Sequence, residues 1–270
     1  AGEDAGNLRV EGKGDLNIKL LGDSVRLDAT AYIKNLNPTF FYRHFHSKHY
    51  WWDNDDLSKI MRTRLEGKLS SQKLGTTLRA GVENIKNYAY LAGTPYKPSP
   101  NGTVPLSLSS ITARQYTGNI QVLSATLWQD IQMGVLHWDN EVTTQYSSQP
   151  EVLPLPALNV YSNLYLLFTY AKVLKIQMGA DARWFSRYYA PDYAPALQQY
   201  FVQEGPEKVE IGGYPIVNVY ANFHLKQVRF YVMYYHVTQN LMKQTNSFLA
   251  PHYPINPRLF KLGLSWNFWD

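Results

Sequence analysis

The chain has 270 residues, with 26 Lys plus Arg against 21 Asp plus Glu, a formal charge of +5 and only 17% charged positions, while 14% are aromatic. Average usage is about 25% charged, so a soluble surface would be poorly hydrated, and the absence of cysteine removes disulfides, thiolate chemistry, Cys-ligated zinc and a lipoprotein anchor. No run approaches the ~18 apolar residues of a helical membrane span, a chain 45% hydrophobic has too much apolar surface for disorder, and residues 1–6 carry no signal-peptide pattern.

A period of two governs most of the chain. In the first run Leu8, Val10, Leu16 and Ile18 share one parity, and Arg9, Glu11, Lys13, Asp15 and Lys19 the other, which is a strand with one apolar and one wet face. After Gly22, Val25, Leu27 and Ile33 oppose Arg26, Asp28 and Lys34; then Met61, Leu65 and Leu69 oppose Arg62, Arg64, Glu66 and Lys68; then Leu78, Ala80 and Val82 oppose Arg79 and Glu83. The middle continues with Leu123, Leu127 and Ile131 against Ser124, Thr126 and Asp130, and with Trp138 and Val142 against His137, Asp139 and Glu141. Leu164, Leu166 and Phe168 lead to a return strand in which Ile176, Met178 and Ala180 oppose Lys175, Asp181, Arg183 and Arg187. The last three runs place Val217, Val219 and Phe223 against Asn218 and His224, Phe230 and Val232 against Arg229, and Leu262, Leu264 and Trp266 against Lys261.

The connections alternate in length. Short turns are predicted at residues 22–24, 70–73, near 134, around 173 and at 226–227, and long loops rich in Pro, Gly, Asn and aromatics at 38–56, 88–112, 147–159, 190–214 and 238–257. Charged faces opposite uniformly apolar ones, with turns at one end and loops at the other, describe an all-β, antiparallel transmembrane β-barrel. A soluble antiparallel sandwich also alternates, but it turns its charged face outward, whereas a barrel turns charge toward the lumen. Residues 1–270 read as one domain of about eleven strands, an odd number where single-chain bacterial barrels are even. An open edge in lipid is costly, so the chain is expected to be the C-terminal portion of a larger even-stranded barrel lacking N-terminal strands, with the remainder upstream or supplied by another chain.

Several segments resemble the porin family of Bacteroidetes outer membranes: His137-Trp138-Asp139-Asn140-Glu141, the Leu153-Pro154-Leu155-Pro156 stretch followed by Tyr161-Ser162-Asn163, Tyr188-Tyr189-Ala190-Pro191-Asp192, Tyr214-Pro215-Ile216-Val217-Asn218, and His252-Tyr253-Pro254 leading into Leu264-Ser265-Trp266. The likeness covers essentially the whole chain. It implies a large outer-membrane barrel of a Gram-negative cell and passive diffusion through a pore, and it supplies no catalytic or ligand residues. One departure is the terminal Asp270 after Trp269, where barrels of this kind tend to end in an aromatic residue.

The basic positions expected to line the pore are Arg26, Lys34, Arg62, Arg64, Lys68, Arg79, Lys175, Arg183, Arg187, Arg229 and Lys261; the acidic ones are Asp28, Glu66, Glu83, Asp139, Glu141 and Asp181. The basic excess predicts a weak anion preference; cross-strand pairing of opposite charges is the alternative. His44, His46 and His49, near Asp53, Asp55 and Asp56, form the densest set of metal-ligand types. Their spacing matches neither a His-Glu-x-x-His helix nor an EF-hand, so an ordered, solvated loop is expected there and no metal or other cofactor. His137, Asp139 and Glu141 read as wall residues hydrogen-bonding one another, and no nucleophile elbow or phosphate loop accompanies them, so no enzyme is expected. Asn101-Gly102-Thr103 fits a glycosylation sequon, an accidental match in a bacterium. Expected partners are outer-membrane lipid and lipopolysaccharide and the barrel-assembly machinery, with a protein partner or homo-oligomer left open; nucleic acid is not expected, because the basic residues alternate with apolar ones. The competing function is a non-conducting structural or partner-binding barrel serving assembly or secretion.

Overall fold

The computed structural model describes residues 5–20, 22–93, 111–241 and 248–268. Eleven strands form one continuous antiparallel wall: β1 (Leu8–Leu20), β2 (Asp23–Leu36), β5 (Ile60–Ser71), β6 (Thr76–Gly93), β7 (Thr112–Met133), β8 (Leu136–Ser147), β9 (Leu158–Tyr170), β10 (Leu174–Phe185), β13 (Ile216–Leu225), β14 (Val228–Tyr235) and β17 (Leu259–Trp266), each paired with the next. Short pieces in the long connections complete the set: a helical turn α1 (Phe40–Arg43) and the hairpin β3 (His44–His46) with β4 (Trp51–Asp53), then β11 (Asp192–Ala194), β12 (Gln199–Gln203), β15 (Phe248–Ala250) and β16 (Tyr253–Pro254). Among the described residues β1 and β17 are the two edges of the wall.

The register turns sequence parity into two faces. One row crosses eight strands through Leu16, Leu27, Leu69, Leu78, Leu127, Val142, Val160 and Trp184; the adjacent row runs through Asn17, Arg26, Ser70, Thr77, Trp128, Glu141, Tyr161 and Arg183. The apolar face is bare: Leu65 is 59% exposed, Leu123 50% and Leu264 66%. In water a patch of that extent would drive association; against hydrocarbon it is the surface a barrel requires.

At the short-turn end the described turns include Gly22 and residues 72–75, 134–135, 171–173 and 226–227, where Gly22, Gly75, Gly134, Ala171, Lys172 and Lys226 adopt positive φ. Tight hairpin turns demand that conformation because it matches the twist of the flanking strands. At Gly75 there is a second constraint, since a Cβ there would collide with the Asp130 carbonyl oxygen.

Crossing the bilayer takes about 9–11 residues of a tilted strand, yet β6 has 18 and β7 has 22. Their hairpin therefore stands clear of the membrane at the long-loop end, past a bulge between Lys86 and Tyr88 where Asn87 takes φ 58°. The larger buried apolar core lies on this projection, and the smaller one just below the bulge, where β5 still pairs with β6. One joins Tyr50 and Trp52 from the β2–β5 loop, Leu91 and Ala113 from the hairpin, and Ala194, Leu197 and Phe201 from the β10–β13 loop. The other joins Ile85 and Ile120 to Val152 of the β8–β9 loop.

Candidate pore face and its loop cap

All the pore-lining candidates except Arg187 fall on the polar face, as the pairings place them on one parity throughout. Arg187 is a correction: β10 ends at Phe185, and the Arg187 side chain lies in the following loop against Gly213. The alternation that suggested a longer strand ends where the chain turns into the cap.

The charges divide into two kinds. Glu83, only 5% exposed, is shared by Arg62 at 2.6 Å and Arg64 at 3.2 Å and accepts the Tyr32 hydroxyl at 3.0 Å; Arg64 also reaches Glu66 at 2.5 Å. Arg26 pairs with Asp28 at 2.8 Å. Lys34, Lys68, Arg79, Lys175, Arg183, Arg229 and Lys261 make no ion pair among the described residues. Four of them lie over rings: Lys34 is 4.0 Å from the Tyr32 centroid, Arg79 is 4.9 Å from Trp128, Arg183 is 5.1 Å from Tyr161 and Lys261 is 4.3 Å from Tyr235. A cation over an aromatic face keeps its charge available to solvent while its stem is fixed.

His137, Asp139 and Glu141 do share this face, but they do not converge on one another. His137 stacks on Tyr165 at 4.9 Å, Asp139 sits opposite Asp130 and Asn163, and Glu141 opposite Trp128 and Tyr161. The alternation already sets Tyr231 and Tyr235 beside Arg229 on the wet parity; the pairings add Tyr161, Tyr165 and Tyr220, which sequence reading left unassigned although they fall on the same register.

The long loops meet over one mouth. β12 adds to the free edge of β6 in parallel, Val202 opposite Ala92, so the β10–β13 loop spans the wall from β10 to β6. The last loop docks on it: His252 Nδ1 lies 2.9 Å from Asp192 Oδ2, and the Tyr253 hydroxyl donates to the Tyr193 carbonyl at 3.2 Å. Burial raises the Tyr253 phenol above its ordinary pKa, and Asp192 adds to the effect. Ion pairs from Arg114 to Glu204 at 2.6 Å and from Lys208 to Glu151 at 2.7 Å fasten the same loop to β7 and to the β8–β9 connection. In the first loop, the rings of His44 and His46 approach Asp53 Oδ1 at 3.0 and 2.7 Å, and these bonds hold its carboxyl below the ordinary range. His49 is not part of that contact, and no group of three or more metal-ligating side chains is present among the described residues. The Asn101 sequon and Asp270 lie outside the described residues.

An antiparallel wall with a lipid-compatible outer face, a charged inner face and loops gathered at one end defines a porin-like outer-membrane β-barrel protein. The chain belongs to the family described as "Putative porin", which it matches over residues 1–270. No curated protein matches it. Among solved structures it is similar to the siderophore receptor PirA from Acinetobacter baumannii, with TM-score 0.59 and 12% identity over 96% of this chain and 41% of that one. It is also similar to the ferric enterobactin receptor PfeA in complex with BCV-L6, with TM-score 0.56 and 15% identity over 84% of this chain and 35% of that one. A mutant of PfeA from Pseudomonas aeruginosa in complex with enterobactin gives TM-score 0.55 at 14% identity and the same coverage. The likeness is one of fold, and the chain spans well under half the length of these receptors.

Proposed function

We propose that the protein is an outer-membrane channel through which small hydrophilic solutes diffuse passively, with weak anion preference and no catalytic step. The observation that carries this reading is the row of basic side chains on the polar face that have no ion-pair partner among the described residues and rest on aromatic rings. Such charges raise the local concentration of anions in a wet lumen. The wall would be one sector of a larger barrel, closed by further strands between β17 and β1. The strand edges of β1 and β17, unpaired among the described residues and each with several kcal/mol at stake per backbone group in hydrocarbon, support that. Lipid and lipopolysaccharide would cover the outer face, and the barrel-assembly machinery would insert it.

The interlocked loops favour a second reading, in which the mouth is closed and the protein serves as a partner-binding or structural barrel. Planar-bilayer recording of the full-length protein separates the two. A steady conductance with a zero-current potential on the anion side in a salt gradient is expected. A cation-side potential removes the selectivity claim, and absence of steady current gives the function to the second reading.

A further inference from the structure

Three clefts join end to end down the polar face between β8 and β17. The upper one, about 860 Å³, starts beneath Leu249 of the cap; a middle one of about 420 Å³ shares Tyr161, Asp181 and Met233 with it. The lower one, about 530 Å³, shares Gln177, Asn222 and Arg229 with the middle and reaches Gln227 and Asn267 at the short-turn end. From Tyr235 to Arg229 on β14 the lining covers about 20 Å at the usual rise per residue. That continuity makes a track across the membrane thickness rather than an isolated pocket.

The middle of the track combines tyrosine rings with amide side chains. Tyr231, 39% exposed, sits opposite Gly263, where a Cβ would collide with its ring. The ring therefore reaches across Gly263 of the neighbouring strand, and its exposed part borders the groove. Between the rings, amides and one carboxylate are fixed by one another: the Tyr220 hydroxyl donates to Asn163 Oδ1 at 2.8 Å, Asn218 Nδ2 to Asp181 Oδ1 at 2.9 Å, and Asn222 Nδ2 to Gln177 Oε1 at 3.2 Å. Among the described residues these bonds leave the Asn163 amide nitrogen and Asp181 Oδ2 without hydrogen bonds. The groups are thus preorganised, with a donor and an acceptor in reserve.

Aromatic rings interspersed with planar donor–acceptor side chains match one class of solute. A pyranose offers an apolar C–H face to a ring, and its edge hydroxyls both donate and accept. The groove also carries charges of both signs, Lys175, Arg183, Arg229 and Lys261 beside Glu141 and Asp181, which a chain of hydroxyls meets as both donor and acceptor, whereas an apolar chain would leave them unpaired. We infer that the track binds linear oligosaccharides, which deepens the channel proposal: passage of the sugar rests on that reading, whereas binding does not.

The test uses full-length protein in lauryldimethylamine oxide, a detergent without a sugar headgroup, titrated calorimetrically with maltohexaose and cellohexaose, alongside bilayer recording with the same probes. Saturable binding of at least one hexaose is expected. Binding should weaken about ten-fold in Tyr231→Ala and stay near wild type in Tyr231→Phe, which keeps the ring, and in Tyr146→Ala on the lipid face. Assembly of each variant is checked by heat-dependent gel mobility, and Asp181→Asn, expected to weaken binding several-fold, replaces Tyr231→Ala if that variant does not assemble. Absence of saturable binding to both hexaoses overturns the inference, as does an assembled Tyr231→Ala with wild-type affinity or equal binding of a neutral peptide such as hexaglycine. Conductance without sugar binding overturns the track and leaves the channel standing; sugar binding without conductance does the reverse.

Discussion

Asp192 and His252 stand 60 residues apart in the chain, yet the carboxylate of one, 3% exposed in total, meets the imidazole of the other at 2.9 Å. This contact ties the last long loop to the loop that crosses from β10 to β6. It makes the cap a single body rather than a set of independent flaps, because its members hold one another and not only their own hairpins.

Replacing His252 with Ala leaves the buried Asp192 carboxylate without that partner, at a cost of about 1–3 kcal/mol. Hydrogen exchange of the backbone amides in residues 248–254 is expected to speed up about ten-fold or more, with exchange in β9 and β10 unchanged. Equal protection in wild type and variant would show that the contact does not hold the cap.

Glu83 anchors the opposite wall by serving Arg62, Arg64 and Tyr32 together. Glu83→Gln removes the one acidic group the two guanidinium groups share. Because Arg62 remains 46% exposed and Arg64 30%, water compensates in part, and a loss of about 1–2 kcal/mol in denaturant unfolding is expected. In a bilayer the same variant should move the zero-current potential toward anions, since Arg62 loses its counter-charge and Arg64 keeps only Glu66.

The carboxyl of Asp53 is held below its ordinary pKa by bonds from His44 and then His46. A depressed carboxyl stabilises the folded hairpin at every pH above the unfolded value, about 3.9, and that stabilisation is lost as the pH falls through the lowered folded value. Tryptophan emission, with Trp51 stacked on His46 at 3.6 Å, is therefore expected to stay constant down to about pH 4 and to change below it. Asp53→Asn should abolish that acid transition.

Gly75 and Gly134 both occupy short turns at positive φ but differ in surroundings. At Gly134 an added Cβ meets open space, so Gly134→Ala should cost only about 1 kcal/mol for the backbone conformation. At Gly75 the same change meets the Asp130 carbonyl, and a larger loss of about 2–3 kcal/mol is expected. Urea unfolding of the two variants in lipid vesicles measures the difference; equal midpoints would refute the steric argument.

The wall was legible because its rule is local. A residue such as Leu27 shows which way it faces by its neighbours Arg26 and Asp28, and tight turns advertise themselves through Gly22, Gly134 and Lys226-Gln227. Eleven strands and the alternation of turns and loops follow from that rule, as does the shared face of the charged residues. The cap obeys no period. Nothing near Val202 in sequence announces pairing with Ala92, and nothing near His252 points to Asp192, because these contacts are chosen by tertiary packing. The projection of β6 and β7 beyond the bilayer was hidden for a related reason: the bulge at Asn87 shifts the parity, so the pattern seems to stop where the strands continue. Of the groove tyrosines, Tyr231 and Tyr235 were legible by parity beside Arg229, whereas Tyr161 and Tyr220 went unassigned because tyrosine is common at membrane interfaces as well.

The placement of the larger buried core on the β6–β7 projection has a consequence for the order of assembly. The larger core unites side chains from Tyr50 to Phe201, so it forms only after the chain through β12 has been delivered to the same side of the bilayer. Until then each hairpin must be held in the membrane by its own strand pairing and its lipid-facing residues. Nonlocal contacts of this kind are slow to form. The cap therefore locks last, sealing a wall already inserted rather than guiding its insertion.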